Sequence, residues 1–197
     1  MGEALVTGSF ADVQRTTGAG LVKSWLKVEA LLLVDVSGSM ESRDAGEGGR
    51  ERRVDVARRE VAKLQKKLPG KLAIVPFHSD AAWAPEGRLP EPGGSTDLAG
   101  ALEYVRDLLG ESLEGLKLIV VSDGSPDSQE DAIAQAVVVK GAGATISTVY
   151  VGPDHQAGPE FLKRLAQAAG GSSEEAKLVK ELEGAVTKLL GDGAGAS

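Results

Sequence analysis

Ten residues constrain this chain more than any others: Leu31-Leu32-Leu33-Val34-Asp35-Val36-Ser37-Gly38-Ser39-Met40, an unbroken apolar run that ends abruptly in a carboxylate, two hydroxyls and a glycine. An apolar run of that length, flanked by turn residues, reads as a strand buried on both faces, as at the centre of a parallel sheet. Its polar residues then fall at the carboxyl end, the edge of an open α/β sheet where ligands bind. Asp35, Ser37 and Ser39 alternate on a turn that Gly38 lets close, so three oxygen donors can converge on one point. The ligand they suit is a hard cation.

Two further stretches complete a pattern. Gly93-Gly94-Ser95-Thr96-Asp97-Leu98 precedes a helical period, and Val120-Val121-Ser122-Asp123-Gly124 ends another apolar run. With Asp35-x-Ser37-x-Ser39, in this order, they resemble the metal-ion-dependent adhesion site (MIDAS) of von Willebrand factor A-type (vWA) domains. The likeness covers about Val28 to Leu190. It assigns five metal-site residues, Asp35, Ser37, Ser39, Thr96 and Asp123, although the family usually has Thr where this chain has Ser122. It implies Mg²⁺, with Mn²⁺ as the alternative. Ser37, Ser39 and Thr96 would bind directly, while Asp35 and Asp123 would act through waters or hydrogen bonds. It also implies a protein-binding module and not an enzyme: a partner's Glu or Asp completes the shell, and an AAA+ ATPase is one candidate partner.

The rest of the chain supplies the frame. Apolar residues recur at helical spacing through Glu51–Leu68, Asp97–Leu109, Gln129–Gly141, Pro159–Ala169 and Lys177–Leu190, with Leu108 among those expected to face inward. Strands are expected at Lys71–Phe77, Leu116–Val121 and Ala144–Val151, with Asp80–Ala84 returning antiparallel at the edge. This alternation predicts an α/β fold, a three-layer αβα Rossmann-like sandwich with a mostly parallel sheet and one short antiparallel edge strand. Ser172–Ala176 is polar and poor in β-branched residues, which leaves a last strand doubtful. Residues 1–27 read as an extended N-terminal extension with a strand near Leu21–Lys27, residues 28–190 as the domain and 191–197 as a tail.

Charge and composition narrow the partners. The net charge of −7 disfavours general affinity for nucleic acid or an anionic membrane, and the absence of cysteine excludes thiolate metal sites and disulfides. With no leader-like N-terminus and no apolar run long enough to span a bilayer, the expected setting is cytoplasmic. Arg52, Arg53, Arg58, Arg59, Lys63, Lys66 and Lys67 form the densest positive region. Interspersed Glu51, Asp55 and Glu60 make it read as a salt-bridged, solvated helix face. Asp44 and Glu47, in the glycine-rich loop before it, read as solvated charges or outer-shell ligands. Thr96 has a helix cap as its simplest alternative role.

Two rival functions follow from the same residues. Asp35 at a strand end with Mg²⁺ also suits phosphoryl transfer, but haloacid dehalogenase-type hydrolases carry a second carboxylate where this chain has Ser37. Ser37, His78 and Asp123 are nominal members of a hydrolytic triad, but no Gly-x-Ser-x-Gly elbow is present. The third reading is a metal-free interaction domain. The sequence leaves the oligomeric state open.

Overall fold

The computed structural model describes residues 5–17, 28–45, 49–124, 126–151, 158–176 and 182–191. Five strands, β1 (Ala30–Asp35), β2 (Leu72–Phe77), β3 (Lys117–Ser122), β4 (Thr145–Val151) and β5 (Gly170–Ala176), form one sheet in the order β2-β1-β3-β4-β5, with every pairing parallel. The leucine run is β1, central and buried along its whole length. Alternate side chains enter opposite cores, Leu31 and Leu33 one, Ala30, Leu32 and Val34 the other. Each leucine so buried contributes about 1.5–3 kcal/mol relative to exposure.

Helices cover both faces. α2 (Arg53–Lys67) packs Val54, Ala57, Val61 and Leu64 against the Leu32 face, where α6 (Leu182–Gly191) adds Val186. α3 (Leu98–Leu109), α4 (Gln129–Gly141) and α5 (Gly158–Ala168) cover the Leu33 face. The chain leaves β1 for one neighbour through α2 and reaches the other through α3, on the opposite face. Loops leaving β1 and β3 therefore diverge, and a crevice opens at their carboxyl ends. Beyond β2 the chain turns back at an antiparallel bridge between Phe77 and Ala81. The amides of Ala82 and Ala84 then donate to Pro76 and Ile74 along the sheet edge.

Several expectations change. The N-terminal extension contains a helix, α1 (Phe10–Thr17), where an extended lead-in was expected. Ser9 Oγ accepts from the Asp12 amide and the Asp12 carboxylate accepts from the Gly8 amide, a capping arrangement that Ser9-x-x-Asp12 spells out. Phe10 is buried edge-on against Trp83 with ring centroids 5.9 Å apart. The strand expected near Leu21–Lys27, Glu47, and the tail beyond Gly191 lie outside the described residues. Leu108, expected inward, is 40% exposed.

The doubtful last strand forms as β5, because its small residues suit the approach better than β-branched ones would. A Cβ at Gly171 would stand 2.1 Å from the Ile146 carbonyl oxygen, and Thr148 Oγ1 donates to Ser173 Oγ at 2.8 Å. Gly171→Ala is therefore expected to push β5 outward and to cost about 1–3 kcal/mol. Faster amide exchange at Ser172 and Ser173, with the centre of the sheet unchanged, is the measurement that checks it.

Candidate metal centre

The site is built outward from Asp35, the last residue of β1 and fully buried. Its Oδ1 accepts from the Ser37 amide at 2.8 Å and its Oδ2 from the Ser122 hydroxyl at 2.6 Å. Burial raises its pKa to about 6, against the opposing pull of the Ser122 and Ser37 hydrogen bonds and with the help of the nearby Asp123 charge. Both oxygens are satisfied within the protein, so Asp35 fixes the loop that follows it. That loop is a 3₁₀ turn, Gly38–Glu41. It brings the Ser37 and Ser39 hydroxyl oxygens to 3.1 Å of one another.

Two other loops close on this turn. The Gly38 amide donates to the Gly94 carbonyl, and the Gly93 amide to the Val36 carbonyl. Gly94 has φ +71°, which a residue with a side chain adopts only under strain. Thr96 follows, its amide donating to Asp127 Oδ1 at 3.1 Å while its carbonyl accepts from the Asp127 amide. The helix cap is Asp97, whose Oδ1 accepts from the Gly100 amide at 2.8 Å. The capping role considered for Thr96 thus belongs to its neighbour.

A cleft of about 270 Å³ is lined by Ser37, Ser39, Thr96, Asp123 and Arg53, with Ser42 and the two glycines Gly38 and Gly94 at its wall. Asp35 lies behind it and reaches it through Ser37. All five residues expected at the metal site therefore meet at the tips of β1 and β3. Among the described residues no cluster of three His, Cys, Asp or Glu side chains is placed to hold a metal. The available donors are mostly hydroxyls, the hard, neutral oxygens that Mg²⁺ and Mn²⁺ accept. Adjacent ligands of an octahedral Mg²⁺ stand about 3 Å apart, close to the 3.1 Å between the Ser37 and Ser39 hydroxyl oxygens.

Arg53 was expected on the solvated face of α2. It is 4% exposed instead, and its Nη1 donates to Asp123 Oδ2 at 2.7 Å. Its Nε and Nη2 grip both oxygens of Asp44 at 2.8 and 2.6 Å, and these bonds hold Asp44 below its usual pKa. Asp44 is thus not a free loop charge; it anchors the arginine. Four other cations of that face form ion pairs, as the interspersed carboxylates predict: Arg52 and Arg58 with Asp55 and with Glu91, Arg59 with Glu51, and Lys63 with Glu60. Ser122 and Asp127 were not singled out in the sequence as site residues. Ser122 acts across strands on Asp35, and only the register that sets Val34 against Val121 brings the two together.

No protein-family profile matches the sequence, and no curated protein matches it. Solved structures do match the fold. A von Willebrand factor type A protein from Catenulispora acidiphila superposes with a TM-score of 0.63 at 17% identity, over 83% of this chain and 42% of that one. The fold is that of a vWA domain. A manganese-loaded TRAP protein from Plasmodium vivax shares it at TM-score 0.60 and 16% identity, over 83% of this chain and 73% of that one. So does proximal thread matrix protein 1 from the mussel byssus, with a zinc-occupied MIDAS motif, at TM-score 0.62 and 15% identity, over 83% of this chain and 47% of that one. The chain thus spans under half of two of these vWA-fold proteins. Among the described residues no helix is long and apolar enough to cross a membrane.

Proposed function

We propose that this vWA-fold chain is a divalent-cation-dependent protein-binding module, its cleft a MIDAS-type Mg²⁺ site that captures a carboxylate of a partner protein. The observation that carries the reading is the convergence of the Ser37 and Ser39 hydroxyls, 3.1 Å apart, on a cleft that Thr96 and Asp123 also line. Ser37, Ser39 and Thr96 would hold the ion, Mg²⁺ or alternatively Mn²⁺. Asp35 orients the Ser37–Ser39 turn, and Asp127 sets the position of Thr96. A dication held mainly by neutral oxygens keeps unneutralised charge, which attracts an incoming carboxylate. The partner presents Glu or Asp, an AAA+ ATPase is one candidate, and a cytoplasmic complex is the proposed setting.

The arrangement favours binding over turnover. Asp35 is buried with both oxygens engaged, so it is not presented as a nucleophile for phosphoryl transfer. His78 Nδ1 accepts from the Asp80 amide, which occupies the nitrogen that a triad would use to receive a carboxylate's support or a serine's proton.

Thr96→Ala and Asp127→Ala test the site from two directions, the first by removing a donor and the second its support. Each is expected to weaken Mg²⁺ binding about 10–100-fold by calorimetry while leaving the circular dichroism spectrum unchanged. Capture of proteins from the source cell should then require Mg²⁺ and fail with chelator. Equal capture under both conditions would overturn the reading and leave the metal-free interaction domain in its place.

A further inference from the structure

Arg53 is the feature of the cleft that the metal reading does not use. Three of its five N–H donors are committed, two to Asp44 and one to Asp123, and the Arg53 and Asp123 side chains are each 5% exposed. A carboxylate as enclosed as Asp123 needs a counter-charge at all times, because an unpaired buried charge is strongly destabilising. The counter-charge that the structure places on Asp123 is the Arg53 guanidinium, at 2.7 Å. A dication in the same cleft would meet that guanidinium as a like charge, and both would draw on the same carboxylate.

We infer that Arg53 is a resident counter-cation that competes with the metal for Asp123, so that the site exchanges one positive group for another instead of filling an empty anionic cage. The inference rests on the metal reading above and adds a residue that sets how tightly the ion is held. Asp44 is the positioning residue. Its two-point grip fixes the plane of the guanidinium and gives Arg53 somewhere to remain when Asp123 turns to the ion. Weak metal retention by the isolated domain follows.

The test compares wild type with Arg53→Gln, using Mn²⁺ and Mg²⁺ alone as probes. The variant should bind the ion at least about tenfold more tightly by calorimetry, because a like charge has gone. Its melting temperature in chelator should fall, and the rise on adding Mn²⁺ should exceed that of the wild type. A variant that is unfolded in chelator and folds on adding Mn²⁺ would support the competition as well. A second measurement needs no variant: in a Mg²⁺ titration of wild type followed by ¹⁵N NMR, the Arg53 Nε–H resonance should move in step with the Ser37 amide. Metal binding by wild type with equal or weaker binding by Arg53→Gln, or a Nε–H signal that stays put while the Ser37 amide moves, would overturn the inference and leave the metal site standing. If neither protein bound either ion, the metal reading itself would fall, and the inference with it.

Discussion

Asp35→Asn is expected to make the metal-free protein about 2–3 kcal/mol more stable at pH 7 while weakening its affinity for Mg²⁺, because a negative charge behind the cleft is lost. The gain arises because Asp35 is fully buried and its pKa is raised to about 6 from an ordinary 3.8, chiefly by burial. The folded state therefore binds this proton more tightly than the unfolded state does. Above pH 6 the ionised group works against folding, and that penalty is relieved as the pH falls through 6 towards 4. A shift of this size corresponds to the stated 2–3 kcal/mol at neutral pH. The new amide keeps an acceptor for the Ser37 N–H and offers a donor to Ser122 Oγ, so the loop has the means to stay in place. Denaturant unfolding in chelator, run for both proteins from pH 4 to pH 7.5, should show curves that diverge with rising pH and meet near pH 4. Two parallel curves would mean that Asp35 does not titrate as its burial demands. Weakened metal binding alongside gained stability would mark the residue as one kept for function at a structural cost.

The largest loss of stability is expected from Gly124→Ala, at about 2–5 kcal/mol. Gly124 has φ +89°, so a side chain there brings left-handed strain of about 1–2 kcal/mol. Its Cβ would also stand 2.4 Å from the Gly158 Cα and 2.8 Å from the Gly158 carbonyl carbon and oxygen. These are backbone atoms at the start of α5, which cannot rotate aside as a side-chain tip can, and overpacking adds about 1–3 kcal/mol. Because Gly124 follows Asp123, the displacement should also move that carboxylate away from Arg53. Gly94→Ala is the informative comparison: its φ is also positive, but the nearest atom is Ser79 Oγ, at the end of a flexible side chain. Denaturant midpoints should rank wild type, then Gly94→Ala, then Gly124→Ala. A Gly124→Ala protein within 0.5 kcal/mol of wild type, on the scale of a neutral surface change, would show that α5 can retreat.

Much of the frame was legible because it rests on local pattern. The leucine run marks β1 and the periods of three and four mark α2 to α5, since burial on both faces or along one stripe leaves a direct trace in residue order. The Gly-Gly loop and the strand-end Asp-Gly were legible for a similar reason, as turn chemistry limits which residues can stand there. What misled was also local. Polar β5 looked unlike a strand because its fit depends on glycine and hydroxyl contacts with β4. Arg53 looked solvated because its neighbours on α2 are charged, and Thr96 had a competing role that Asp97 in fact fills.

The sequence by itself determined the alternation of strands and helices, the placing of oxygen donors at two strand tips, and hence the αβα class, because each follows from the order of apolar and polar residues along the chain. Only the tertiary structure decided that β1 and β3 are neighbours, that Ser122 reaches Asp35, and that a guanidinium from α2 sits on Asp123. Those contacts join residues separated by 87 and 70 positions. No periodicity specifies such pairs; they are fixed by sheet register and by the demand that every buried charge find an opposite one.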